Sequence, residues 1–95
     1  MAWRLSEKAE ADLQLHYAYG LEQWGIRQAD RLFEQIFDAF EEIDVYPEAC
    51  RNRFEVEPGL RIKIIQSHLI LYSIEPDAVV IQRIVSGASD WQNER

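Results

Sequence analysis

The apolar residues of this chain change their spacing once, at Pro47. Up to Tyr46 they recur every three or four residues, the period of one helix face. From Phe54 onward they alternate with polar residues or gather into short β-branched runs bounded by turn residues. Helices first and strands second specify an α+β domain, here an N-terminal helical hairpin packed on a small antiparallel β-sheet. The 95 residues leave room for a single domain, 1–95, around one core, and at 47% hydrophobic and 28% charged the chain has the material to fill it.

Within the helical half, Ser6 ahead of Glu7-Lys8-Ala9-Glu10 suits an N-cap with an acid in the first turn. Ala9, Leu13, Tyr17 and Trp24, with His16 and Gly20 on the same stripe, predict one buried face, and Gly20 allows close approach there. Trp24-Gly25 closes this helix with glycine past its end, and Ile26, Ala29, Phe33, Ile36, Phe37, Phe40 and Ile43 trace a second, stronger stripe ending near Tyr46-Pro47. The short link makes an antiparallel hairpin. Leu15, Leu32 and Ala39 lie beside the two stripes, so the apolar sector is wider than one contact requires and something is expected to pack on the flank. Residues 2–5 are a candidate short strand. In the β-rich half, residues 51–57 alternate at their end, Pro58-Gly59 is a turn, and runs at 60–65, 68–74 and 79–85 form an antiparallel meander. The tail that follows is short and polar apart from Trp91.

Charge narrows the function classes. The net charge is −7, with eleven acids against four bases in residues 1–50 and six of each afterwards. Such a surface repels phosphate backbones at long range, so no direct nucleic-acid partner is expected. The opening residues lack an apolar leader region, and no run approaches the ~20 apolar residues of a bilayer span, so no membrane association is expected. One cysteine, Cys50, excludes an internal disulfide and suits a reducing, cytoplasmic compartment. No metal or cofactor is expected: the two histidines and the cysteine show no ligand spacing, Asp38, Glu41, Glu42 and Asp44 read as a solvated helix face, and Gly59 and Gly87 stand alone rather than in a phosphate loop.

Against that acidic background residues 51–63 are net positive, with Arg51, Arg53, Arg61 and Lys63 set against Glu55 and Glu57 and with Phe54, Val56 and Leu60 interleaved. This suits a partner segment bearing carboxylates and apolar side chains; the alternative is that these bases pair with the helices' own acids. Trp91 also has two readings, a tail aromatic folded back on the core or an exposed interface anchor beside Asp90.

The series Leu5-Ser6, Ala9, Asp12-Leu13, Tyr19, Trp24-Gly25, Gln28-Ala29, Phe40, Pro47, Pro58-Gly59-Leu60-Arg61, His68-Leu69-Ile70, Tyr72, Ile81, Arg83-Ile84-Val85, Gly87 and Asp90 spans nearly the whole chain and resembles the ParE branch of the ParE/RelE toxins. The resemblance implies a toxin of a bacterial type II toxin–antitoxin pair, held in a hetero-oligomer by a ParD-like antitoxin whose C-terminal segment wraps it. When free, such a toxin inhibits DNA gyrase, a type II topoisomerase, by protein–protein contact and is not an enzyme. The sequence departs from the family's common ending at Ser86 and Ser89, where a histidine and an arginine are usual.

The alternative is a RelE-like ribosome-dependent mRNA endonuclease on the same fold. Cleavage of a phosphodiester needs a group to take the 2′-hydroxyl proton and cations for the transition state. Arg61, Lys63 and Arg83 offer cations, but Ser86 is a poor acid or base. A third reading is an inactivated toxin kept as a regulator. The expected antitoxin contacts are Leu15, Leu32, Arg53, Phe54, Arg61 and Lys63, the expected target contacts Arg83, Ser89, Asp90 and Trp91, and no catalytic residue is expected.

Overall fold

The computed structural model describes residues 2–94. Its elements are β1 (Ala2–Leu5), α1 (Glu7–Trp24), α2 (Ile26–Val45), β2 (Arg61–Ile65), β3 (His68–Ile74), β4 (Ala78–Ser86) and α3 (Trp91–Glu94). Ser6 caps α1 as its sequence context requires, its hydroxyl accepting from the Ala9 N–H at 3.0 Å. Gly25 alone joins the two long helices. Its φ of 86° lies in the left-handed region that glycine enters without a Cβ penalty, and its N–H closes on the Leu21 carbonyl. The hairpin is antiparallel: Gly20 meets Ala29, and further back Tyr17 stacks on Phe33 and bonds Asp30. A Cβ at Gly20 would sit 3.7 Å from Ala29, ordinary contact, so the approach there does not demand glycine.

The sheet has the order β1-β4-β3-β2. Strands β2, β3 and β4 form the expected antiparallel meander, and β1 adds in parallel to β4, Ala2 opposite Ala78 and Leu5 opposite Ile81. Beyond Leu5 the free side of β4 is closed by side chains of α1 in place of a strand. The Ser6 N–H donates to Ile81 O and its hydroxyl to Gln82 O, Asp12 accepts from the Ile84 N–H at 2.9 Å, and His16 Nε2 donates to Ile84 O at 2.9 Å. A helix thus meets the backbone groups that an edge would leave open.

Two cores flank the sheet. Between helices and sheet lie Ala9, Leu13, Ile36, Phe40, Ile43, Ile70, Tyr72, Val79, Ile81 and Ile84. On the other face a smaller core gathers Leu60, Ile62, Leu71, Val85 and Trp91, with Val56 and Leu69 against them. The chain therefore builds three layers where its period pattern suggests two. Among the described residues no helix is long and apolar enough to cross a membrane.

Three expectations are corrected. Trp24, expected on the buried stripe, is 61% exposed, and Ile26 is exposed likewise, because both fall at the hairpin tip beyond the sheet's cover. Residues 51–57 do not pair as a strand. The Val56 and Glu57 N–H groups return to the Arg53 carbonyl, a helical turn that carries Val56 onto the second core, and Asn52 makes a lone bridge to Arg61. The anchor expected at the tail is not exposed: Trp91 is 8% exposed and packs on the face away from the helices.

Candidate interaction groove

Strand β2 is a sheet edge, and α2 runs beside it. Between them two hollows that share Glu42 and Lys63 form a groove, and a third hollow adjoins it at the hairpin tip, where Gln66 Nε2 donates to Gln35 Oε1 at 3.0 Å across the path. At the far end a cavity of about 400 Å³ is lined by Ile43, Tyr46, Cys50, Lys63 and Tyr72. Its neighbour, about 340 Å³, shares Glu42 and Lys63 and continues past Ala39 to Gln35 and Gln66. At the hairpin tip a cleft of about 390 Å³ takes over at Leu32 and Ser67. From Leu32 to Glu42 the hollows follow α2 for about 15 Å, at 1.5 Å per residue.

Side chains on the helix-facing side of β2 place positive charge along this path. Lys63 Nζ is 2.8 Å from Glu42 Oε2, so the acid that reads as part of a solvated face is the groove's ion-pair partner. The Arg61 guanidinium donates to the Cys50 carbonyl and is half-buried. Behind them the buried Tyr72 hydroxyl donates to Pro47 O at 2.8 Å; burial, and then the adjacent Cys50, push its ionisation well above the usual phenol range. Arg51 pairs with Glu55 four residues on, at 2.8 Å, lowering the carboxyl through the hydrogen bond it donates. The bases of residues 51–63 are therefore divided, Lys63 answering a helix acid and Arg51 an acid of its own turn.

Of the six residues expected to meet an antitoxin, the groove and the adjoining cleft take in Lys63 and Leu32, with Arg61 at the groove's end. Leu15 is 69% exposed on α1 and Phe54 72% exposed on the turn after Asn52; neither lines the groove, nor does Arg53. Of the four expected target contacts only Asp90 is exposed. It accepts from Asn93 at the start of α3, and the Ser89 hydroxyl folds back onto Ser86 O. Arg83 is engaged with Asp12, Nε to Oδ2 at 2.8 Å and Nη2 to Oδ1 at 3.0 Å, the two side chains 18% and 10% exposed.

Sequence reasoning missed this pair. It also missed the contact between the two histidines, His16 on the helix stripe and His68 at the start of a strand, which stand edge to face with ring centroids 4.9 Å apart at the base of the tip cleft. Residues 71 and 52 positions apart carry no periodic signal of contact. A further hollow beside Ser6, Lys8 and Gln82 is open and borders Arg83.

A family model for the ParE toxin of the type II toxin-antitoxin system parDE matches residues 3–91. The chain is 30% identical over 63 residues to Toxin ParE3 of Caulobacter vibrioides, a match covering 66% of this chain and 63% of that protein's length. Its fold is similar to that of a chain from the chromosomal ParDE TA system of P. aeruginosa. The TM-score is 0.79 at 19% identity, and the match covers 90% of this chain and 95% of that one.

Proposed function

Because the chain belongs to the ParE toxin family of type II parDE toxin–antitoxin systems, we propose that it acts by binding alone: a ParD-like antitoxin neutralises it along the α2–β2 groove, and free of antitoxin it inhibits DNA gyrase by protein–protein contact. One observation carries the binding reading over the endonuclease reading. The side chains that phosphodiester cleavage would use are engaged with groups of this chain and on different elements: Arg83 on Asp12, Lys63 on Glu42, Arg61 on the Cys50 carbonyl, His16 on Ile84 O. A binding groove needs only apolar floor and a few cations at its wall, which Ile43, Ala39, Leu32 and Lys63 supply.

The target activity is tested by freeing the protein from antitoxin and assaying gyrase supercoiling beside ribosome-dependent RNA cleavage. Supercoiling is expected to fall and mRNA on ribosomes to stay intact. Cleavage that disappears in a folded Arg83→Ala variant would promote the endonuclease instead.

The groove has its own test. Reversing Arg61 and Lys63 to glutamate places like charge beside Glu42 and removes the cations facing the partner, so antitoxin Kd is expected to rise at least about tenfold, the scale of one hot-spot contact. The Lys63–Glu42 pair is partly solvated and its loss costs the fold little, on the order of 1 kcal/mol or less. Unchanged affinity in titration calorimetry would move the interface off this edge.

A further inference from the structure

The cleft at the hairpin tip differs from the rest of the groove. In a chain with 28% charged residues, none of the described side chains lining it is a carboxylate, an ammonium or a guanidinium. Its walls are Leu32 and the rings of Tyr19 and Trp24, set edge to face with centroids 5.6 Å apart and both more than half exposed. Its floor is the pair His16 and His68, each half-buried. It adjoins the groove where Leu32 leads to Gln35 and Ser67 to Gln66, two glutamines hydrogen-bonded to each other at 3.0 Å.

We propose that this cleft receives an uncharged, apolar side chain of the antitoxin's bound segment, and that closing it over the two imidazoles makes neutralisation weaken as the pH falls. The inference rests on the antitoxin reading above and specifies what that partner presents at the tip. A carboxylate would find no fixed cation here, whereas an aromatic or aliphatic side chain finds three apolar walls beside the groove.

The proton sensitivity follows from the floor. His16 donates its Nε2–H to Ile84 O, and its ring stands edge to face against His68. His68 Nδ1 is buried with no hydrogen-bond partner, and burial, then the neighbouring His16, hold this imidazole below the ordinary histidine range. The other groups facing the pair are Tyr19 on α1, Ser67 in the β2–β3 turn and Ser86 on β4. One turn back on α1 the Asp12 carboxylate is already spent on Arg83 and the Ile84 N–H. α2 contributes only Leu32 to the lining. Covering the pair with an apolar group removes the remaining water, so the bound state requires neutral rings. A ring that must shed a proton before it can be covered costs up to tenfold in affinity per pH unit below its pKa in the free protein.

The test measures Kd of the cognate ParD-type antitoxin for the full chain between about pH 7.5 and about pH 5.5. Kd is expected to rise at least about threefold for the natural chain and to stay flat for the His16→Gln, His68→Gln double variant relative to it, since a glutamine amide at position 16 can keep the bond to Ile84 O. The Leu32→Glu variant, measured at the higher pH with circular dichroism to confirm folding, separates the two readings. If Leu32→Glu weakens binding but the natural chain binds equally or more tightly at low pH, the cleft holds a carboxylate or a polar group and this inference fails while the groove stands. If Leu32→Glu binds normally, no part of the antitoxin fills the cleft and this inference fails, while the groove reading stands or falls with the Arg61 and Lys63 reversal.

Discussion

Replacing Asp12 with alanine is expected to destabilise the fold by about 3 kcal/mol, enough to lower Tm by ~12 to 24 °C in a domain of this size. The carboxylate serves two groups at once. It holds the Arg83 guanidinium through two hydrogen bonds and accepts from the Ile84 N–H at 2.9 Å, on a stretch of β4 whose β1 side has no neighbouring strand. At 10% and 18% exposure the two side chains are largely out of water, so losing the carboxylate takes two charge-assisted hydrogen bonds from the guanidinium and leaves the buried Ile84 N–H unmet. Asp12→Asn keeps one acceptor, enough for the Ile84 N–H and Arg83 Nε, but loses the charge and turns an amide N–H toward Arg83 Nη2, so it should cost less than alanine while still losing one hydrogen bond to Arg83. A loss below ~1 kcal/mol in denaturant titration would show that water replaces the carboxylate. The same geometry governs Arg83: an Arg83→Ala variant that loses toxicity must first be shown to be folded.

Trp91→Ala is expected to cost about 3 to 4 kcal/mol, the range for emptying a buried aromatic site, and deleting residues 87–95 should leave a chain that is recovered poorly even with antitoxin. The indole fills the second core against Leu60, Ile62, Leu71 and Val85. The turn that carries it is tied down as well. The Gly87 N–H meets Ser67 O, and a Cβ at that position would lie 3.1 Å from the same oxygen. Trp91→Phe should recover most of the stability by keeping ring volume. If Trp91→Ala instead melts within a few degrees of the natural chain and loses only growth inhibition, the indole serves the target.

The helices were legible residue by residue because their burial repeats within a few positions. Ser6, Gly25 and the Ile36-Phe40-Ile43 face each announce themselves within a turn or two of their partners. The antiparallel meander was legible for the same reason, since consecutive strands joined by short turns pair with their neighbours. The groove was legible in part: Leu32, Arg61 and Lys63 stood out as surplus apolar surface and local positive charge, while Glu42 looked like one solvated acid among several.

What the sequence by itself determined is whatever local period, capping and turn chemistry encode: two helices, three strands in a meander, an α+β class, and a positive patch in an acidic chain. Only the tertiary structure decided the rest. Parallel pairing of β1 with β4 joins Leu5 to Ile81, Arg83 finds Asp12, His16 meets His68, and Trp91 closes a second core. Each of these contacts spans at least half the chain or gathers residues from several elements. Its free energy comes from desolvation and packing at one point in space, and neither leaves a period along the chain for a reader to find.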